Sequence, residues 1–174
     1  MAKVYLSIGS NIEREVQIVL AVSALQAEFG MVELSSVYEC EPVGFTGHNF
    51  YNLVAKIETN QSPKAIADLL KQLEKQHGRS DFTKKFSPRK MDLDILLYDD
   101  IILDVPQIPR DEIPVNAYVL KPLAELAPTS LHPELRITYQ QMWYDYDKSK
   151  QNVSKIDFKW PEHISLANNK YNQG

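Results

Sequence analysis

Phe50-Tyr51-Asn52-Leu53-Val54-Ala55-Lys56-Ile57-Glu58, followed by Ser62-Pro63, is the stretch that decides the fold. Its first nine residues alternate well enough for a strand, with Leu53, Ala55 and Ile57 on one side. Ser62 then reads as a helix cap and Pro63 as the first helical residue. Ile66, Leu69, Leu70 and Leu73 recur at helical spacing until Gly78 ends the run. Upstream, Val4 to Ile8 is a short apolar strand closed by Gly9-Ser10-Asn11. Ser10 or Asn11 is expected to cap the next helix, with Glu13 and Glu15 in its first turn. The stripe of that helix is Ile18, Val22, Leu25 and Phe29, and Gly30 stops it. Val32 to Glu39 reads as one strand, and Glu41 to His48 as a loop of turn formers.

Downstream, residues 79 to 90 form a charged loop before a strand from Met91 to Leu97. Tyr98-Asp99-Asp100 predicts a turn into Ile101-Ile102-Leu103, hence a hairpin. Short helices are expected over Tyr118 to Leu126 and Thr138 to Tyr146. Beyond Lys148 the chain turns polar, with Ile156, Phe158 and Trp160 as its anchors. This predicts one domain over 1–147 and an appended tail over 148–174. The order strand, helix, strand, strand, helix, strand is that of a ferredoxin-like βαββαβ sandwich, an α+β fold. Helices are expected on one face of an antiparallel sheet, with the hairpin and C-terminal helices as additions.

With 174 residues the chain is long enough to bury a core without a disulfide, and Cys40, the single cysteine, cannot form one internally. Nineteen basic against 23 acidic residues leave a net charge of -4, which argues against a broad nucleic-acid or membrane-surface partner. The opening Met1 to Tyr5 carries no long apolar stretch, and no run approaches a bilayer-spanning length. A soluble, cytoplasmic protein, monomeric and without membrane or nucleic-acid partners, is the expectation.

Asp92 and Asp94 stand two apart on a predicted strand, so their carboxylates share a face while Met91, Leu93, Ile95 and Leu97 point into the core. Such a pair suits a hard cation bound to phosphate, such as magnesium. On spacing alone, a solvated strand face answered by Arg89 or Lys90 is the commoner reason for such a pair. The loop before it carries Arg79, Lys84, Lys85, Arg89 and Lys90 against one acid, Asp81, which is what a polyphosphate requires. Phe86 within that loop suits either an adenine contact or a core anchor. Phe50 and Asn52 offer an aromatic face and an amide to a flat heterocycle, although aromatics entering a strand are commonly core. Cys40 reads as a buried small side chain rather than a nucleophile.

Several motifs in order resemble the 6-hydroxymethyl-7,8-dihydropterin pyrophosphokinases of folate biosynthesis. They are Tyr5-Leu6-Ser7-Ile8-Gly9-Ser10-Asn11, Ser35-Ser36-Val37-Tyr38 with Pro42-Val43-Gly44, and Phe50-Tyr51-Asn52. Glu74-x-x-x-Gly78-Arg79 leads to Pro88-Arg89-x-Met91-Asp92-Leu93-Asp94, and Val119-Leu120-x-Pro122-Leu123-x-Glu125-Leu126 closes the series. The resemblance implies transfer of pyrophosphate from ATP to a hydroxymethyl pterin, releasing AMP. It implies that Asp92 and Asp94 bind two magnesium ions and that Arg79 and Arg89 contact the phosphates in catalysis. Phe50 and Tyr118 would sandwich the pterin, Asn52 would bond its edge, and Cys40 and Val43 would flank it. Glu74, Lys85, Phe86 and Ile95 would lie on the ATP side, with Arg110 compensating in part for lost cations. The sequence departs from the family at Glu41, Asp81, Arg110, Asp111 and Asn116, so it carries less positive charge around the triphosphate. A non-catalytic relative that binds pterin or nucleotide is the alternative these departures leave open.

Overall fold

The computed structural model describes residues 1–44, 46–77 and 91–164. Its central strand is β1 (Ala2–Ser10), which pairs antiparallel on both edges. On one side lies β4 (Phe50–Thr59), in register from Ala2↔Thr59 to Ser10↔Tyr51. On the other lies β5 (Asp92–Tyr98), from Val4↔Tyr98 to Gly9↔Asp92. The far edge of β4 takes β2 (Glu33–Leu34) and β3 (Tyr38–Cys40). These two replace the single strand expected over Val32 to Glu39. At Ser35 the side-chain Oγ accepts from Val54 N at 2.9 Å, so a hydroxyl stands where a ladder carbonyl would.

Helices cover both faces, not one. On the first face α1 (Arg14–Phe29) and α2 (Pro63–Gln76) bury Ile18, Leu25, Ile66 and Leu70 against Leu6, Ile8, Leu53 and Ile57. On the second, α3 (Ala117–Leu126) and α4 (Tyr139–Asp145) bury Leu120, Leu123 and Met142 against Val54 and Leu96. The βαββαβ core is therefore ferredoxin-like, and the C-terminal helices form a third layer. Tyr51 to Ala55 are all buried, which a strand covered on only one face would not require.

β5 serves both cores through a bulge. Its register passes from Leu6↔Ile95 to Tyr5↔Leu97, leaving Leu96 without a partner on β1. Leu93 and Ile95 pack in the first core, while Leu96 and Leu97 both pack in the second. The expectation that Leu97 follows Leu93 is corrected by this extra residue.

Three further expectations change. Ile101 to Leu103 does not return along β5. Asp99, at φ 48°, instead ties back to the start of β1, donating to Lys3 O and accepting from Lys3 N, each at 2.8 Å. Leu103 pairs with Ile108. The cap of α1 is Glu13 in the left-handed region, and its side chain does not cap the helix. The amide of Asn11 donates instead to His48 O, and Ser10 Oγ to Ile12 O. Ser62 does cap α2, accepting from Ala65 N at 3.1 Å.

The third change concerns the segment after Lys148. β6 (Val153–Lys155) extends the sheet beyond β3, with Cys40↔Val153 in register. Ile156, Phe158 and Trp160 pack against the first core, and Ile164 is 5% exposed within it. Residues 153–164 are thus part of the packed structure rather than appended to it. Ile164→Ala should lower stability by about 2–4 kcal/mol, read from urea unfolding; an unchanged midpoint would mean the segment is not packed.

Candidate active site

At one end of the sheet Gly9 stands between two polar partners, Asn52 across β4 and Asp92 across β5. A Cβ on Gly9 would lie 2.6 Å from Asn52 Oδ1, so a larger residue there would push that amide aside. The Asn52 amide is buried and donates to Cys40 Sγ at 2.9 Å. Burial pushes the Cys40 thiol up to about 12, and the bond from Asn52 only partly offsets that. Phe50 is half-buried beside them, and Val43 is exposed on the preceding loop.

Tyr118 opens α3 and faces the same end. Burial raises its hydroxyl pKa, and the negative fields of Glu112, Cys40, Asp92 and Asp94 raise it further. Tyr118 thus lies within electrostatic reach of Cys40 and of both aspartates. Cys40, Phe50, Asn52 and Tyr118 are therefore brought to one region, beside the carboxylates.

Asp92 and Asp94 share one face of β5, since Leu93 between them is buried in the first core. Burial raises the Asp94 carboxyl to about 7, and the charge of Asp92 adds to the effect. Arg110 opposes it, with Nη2 3.5 Å from Asp94 Oδ1. The same guanidinium meets Glu112 Oε1 at 2.9 Å through Nη2 and at 3.0 Å through Nε. Glu112 Oε2 accepts from Asn116 Nδ2 at 3.1 Å, and Asn116 Oδ1 accepts from Gln151 Nε2 at 2.9 Å. Sequence reasoning singles out neither Glu112 nor Gln151. An acid two residues after Arg110 is a usable signal for the first; nothing local marks the second.

Glu74 is buried, and its Oε1 accepts from Leu93 N at 2.8 Å. It thereby fixes the backbone between the two aspartates from α2, a support that its expected place on the ATP side does not suggest. Beside it runs a groove of about 750 Å³ lined by Lys71, Glu74, Asp94, Ile95, Pro106 and Arg110, among others. Arg79, Lys85, Phe86 and Arg89 lie outside the described residues.

Among the described residues no group of three or more His, Cys, Asp or Glu side chains gathers to hold a metal. Two carboxylates nevertheless fit a magnesium ion that takes its other oxygens from phosphate and water. The Asp94 carboxyl is raised first by burial and then by the neighbouring charges of Asp92, Glu112 and Glu74, and a cation beside it would favour its ionised form.

The fold is of the ferredoxin-like class, and its carboxylate pair beside a polar pocket is an arrangement suited to handling phosphate. Residues 5–128 match the family model of 7,8-dihydro-6-hydroxymethylpterin-pyrophosphokinase (HPPK), and the chain belongs to that family. It is 34% identical over 140 residues to the 2-amino-4-hydroxy-6-hydroxymethyldihydropteridine pyrophosphokinase of Aquifex aeolicus, covering 78% of this chain and 87% of the relative. The Pseudomonas aeruginosa enzyme of the same name is 36% identical, with 77% and 86% covered. A folic acid synthesis protein of Schizosaccharomyces pombe is 37% identical over 83% of this chain, which spans 20% of that longer protein. Among solved structures, a Plasmodium falciparum HPPK-DHPS bound to pteroate superposes with a TM-score of 0.67. That match is 14% identical and covers 86% of this chain and 44% of the other, so it speaks to the fold.

Because Cys40 is the only cysteine, its reactivity reports on this wall alone. At pH 8 a thiol reagent should label it on the order of a thousandfold more slowly than free cysteine, since the thiolate is the reactive form. Gly9→Ala, which displaces the Asn52 amide and removes the bond that lowers the thiol pKa, should slow labelling further; equal rates in the two proteins would count against the contact.

Proposed function

We propose that this chain transfers the pyrophosphoryl group of ATP to the hydroxymethyl oxygen of 6-hydroxymethyl-7,8-dihydropterin, with magnesium, in folate biosynthesis. The observation that carries the reading is the placement of Asp92 and Asn52 on either side of Gly9. One strand thereby holds a metal-binding carboxylate beside a pocket suited to a flat, polar heterocycle.

In this reading Asn52 bonds the polar edge of the pterin, and Phe50 and Tyr118 enclose its faces. ATP occupies the groove along Glu74 and Ile95 with its phosphates toward Asp94 and Arg110. The substrate hydroxyl attacks the β-phosphorus and gives up its proton to solvent, a new oxygen–phosphorus bond forms, and the β-phosphorus to bridging-oxygen bond breaks so that this oxygen departs with AMP. Magnesium, held by Asp92 and Asp94, would supply charge neutralisation on the phosphate oxygens. Arg110 adds a positive charge fixed in advance by Glu112, so little reorganisation accompanies the reaction. Glu74 keeps the aspartate-bearing backbone still. Both substrates are small molecules; a monomer suffices, and no nucleic acid or membrane surface is needed.

Incubation with ATP, magnesium and hydroxymethyldihydropterin should yield AMP and the pterin pyrophosphate in equal amounts. Asp92→Ala and Asp94→Ala should each lower kcat by roughly a hundredfold or more, while the thermal melt of the protein persists. ADP in place of AMP, or full turnover by the doubly substituted protein, would sink the reading.

A further inference from the structure

We infer that Gln151 is a positioning residue of the nucleotide side, orienting the Asn116–Glu112–Arg110 chain that faces Asp94; this rests on the function proposed above. Gln151 lies between α4 and β6, beyond the residues 5–128 that match the family. Its carboxamide makes two bonds of opposite sense. Oε1 accepts from Ala117 N at 2.8 Å, in the first turn of α3, and Nε2 donates to Asn116 Oδ1 at 2.9 Å.

The backbone N–H of Ala117 can only donate, which fixes the direction of every bond that follows. With Oε1 on Ala117, the Gln151 amide nitrogen must face Asn116. Asn116 must then present its own nitrogen to Glu112, and both Glu112 oxygens become committed, Oε2 to Asn116 and Oε1 to Arg110. Arg110 is anchored through its backbone N–H to Leu96 O at 3.0 Å, so the direction of its guanidinium is what this chain decides. Asn116 is buried, at 9% exposure, so water is a poor substitute for the missing donor. Its amide, neutral where the family resemblance leads one to expect a cation, thus acts by passing on orientation.

The bonding sense supplies a variant that separates positioning from support. Gln151→Glu can still accept from Ala117 N, preserving the cap of α3, but it cannot donate to Asn116. Calorimetry would measure the Kd of a non-hydrolysable ATP analogue with magnesium, and that of 6-hydroxymethylpterin, alongside AMP formation. Gln151→Ala and Gln151→Glu should both weaken the nucleotide roughly tenfold and leave the pterin Kd within about twofold. The Glu variant should keep a single cooperative melt, since the bond from Ala117 N that caps α3 is retained. In an Arg110→Ala background, Gln151→Ala should have no further effect on the nucleotide, because the route is already cut. Wild-type nucleotide affinity in the Glu variant, or independent factors that multiply in the double variant, would overturn the inference. A wild-type protein that binds both ligands but forms no AMP would refute the proposed function, while the affinities still decide the role of Gln151.

Discussion

Pairing of β1 along both its edges is the constraint on which everything else depends. Side chains on a strand alternate, so a slip of one residue on either edge would turn a whole set of side chains to the wrong face. At Gly9 that register has a chemical result: Asn52 and Asp92 arrive on either side of a residue with no side chain of its own. The separation of the amide pocket from the carboxylate end is therefore set by inter-strand spacing rather than by loops. Loops tolerate variation well, and here they are left to line the site rather than to define it.

The second organising element is charge held in a half-dry place. Asp94 would be costly without a counter-ion, and Arg110 answers it only in part because Glu112 competes for the same guanidinium. Such partial compensation weakens a purely structural ion pair, yet it would suit the magnesium-binding role proposed above. Glu74 belongs to the same logic: its buried carboxylate accepts from a backbone N–H and steadies the strand, while its negative charge adds to the field that raises the Asp94 carboxyl.

Much of this is readable from residue order. The stripes of α1 and α2, the cap at Ser62 and the paired aspartates all follow local periodicity, which a single sequence displays. What is not readable depends on distant partners. The break at Ser35 needs Val54 across the sheet, and the left-handed Glu13 reflects Ser10 and Asn11 bonding elsewhere. The bulge at Leu96 is invisible in the sequence, since Ile95, Leu96 and Leu97 are an unbroken apolar run that reads alike whichever core each residue enters. Polar composition after Lys148 hides a strand, because an edge strand of three residues needs few apolar side chains. The aspartates and the pocket residues are legible as types; Gln151 is not, because its partners are 34 and 35 residues away.

Among the described residues the sheet ends in β5 on one side and β6 on the other. Open edges invite a neighbouring molecule to add its own strand, the usual first step toward precipitation. Here β6 is only three residues long and carries Lys155, so it offers little template to a second molecule. On β5 the Leu93 N–H is already taken by Glu74. The carboxylate that steadies the aspartate pair therefore also denies a docking strand one of its hydrogen bonds, which favours colloidal stability at high protein concentration.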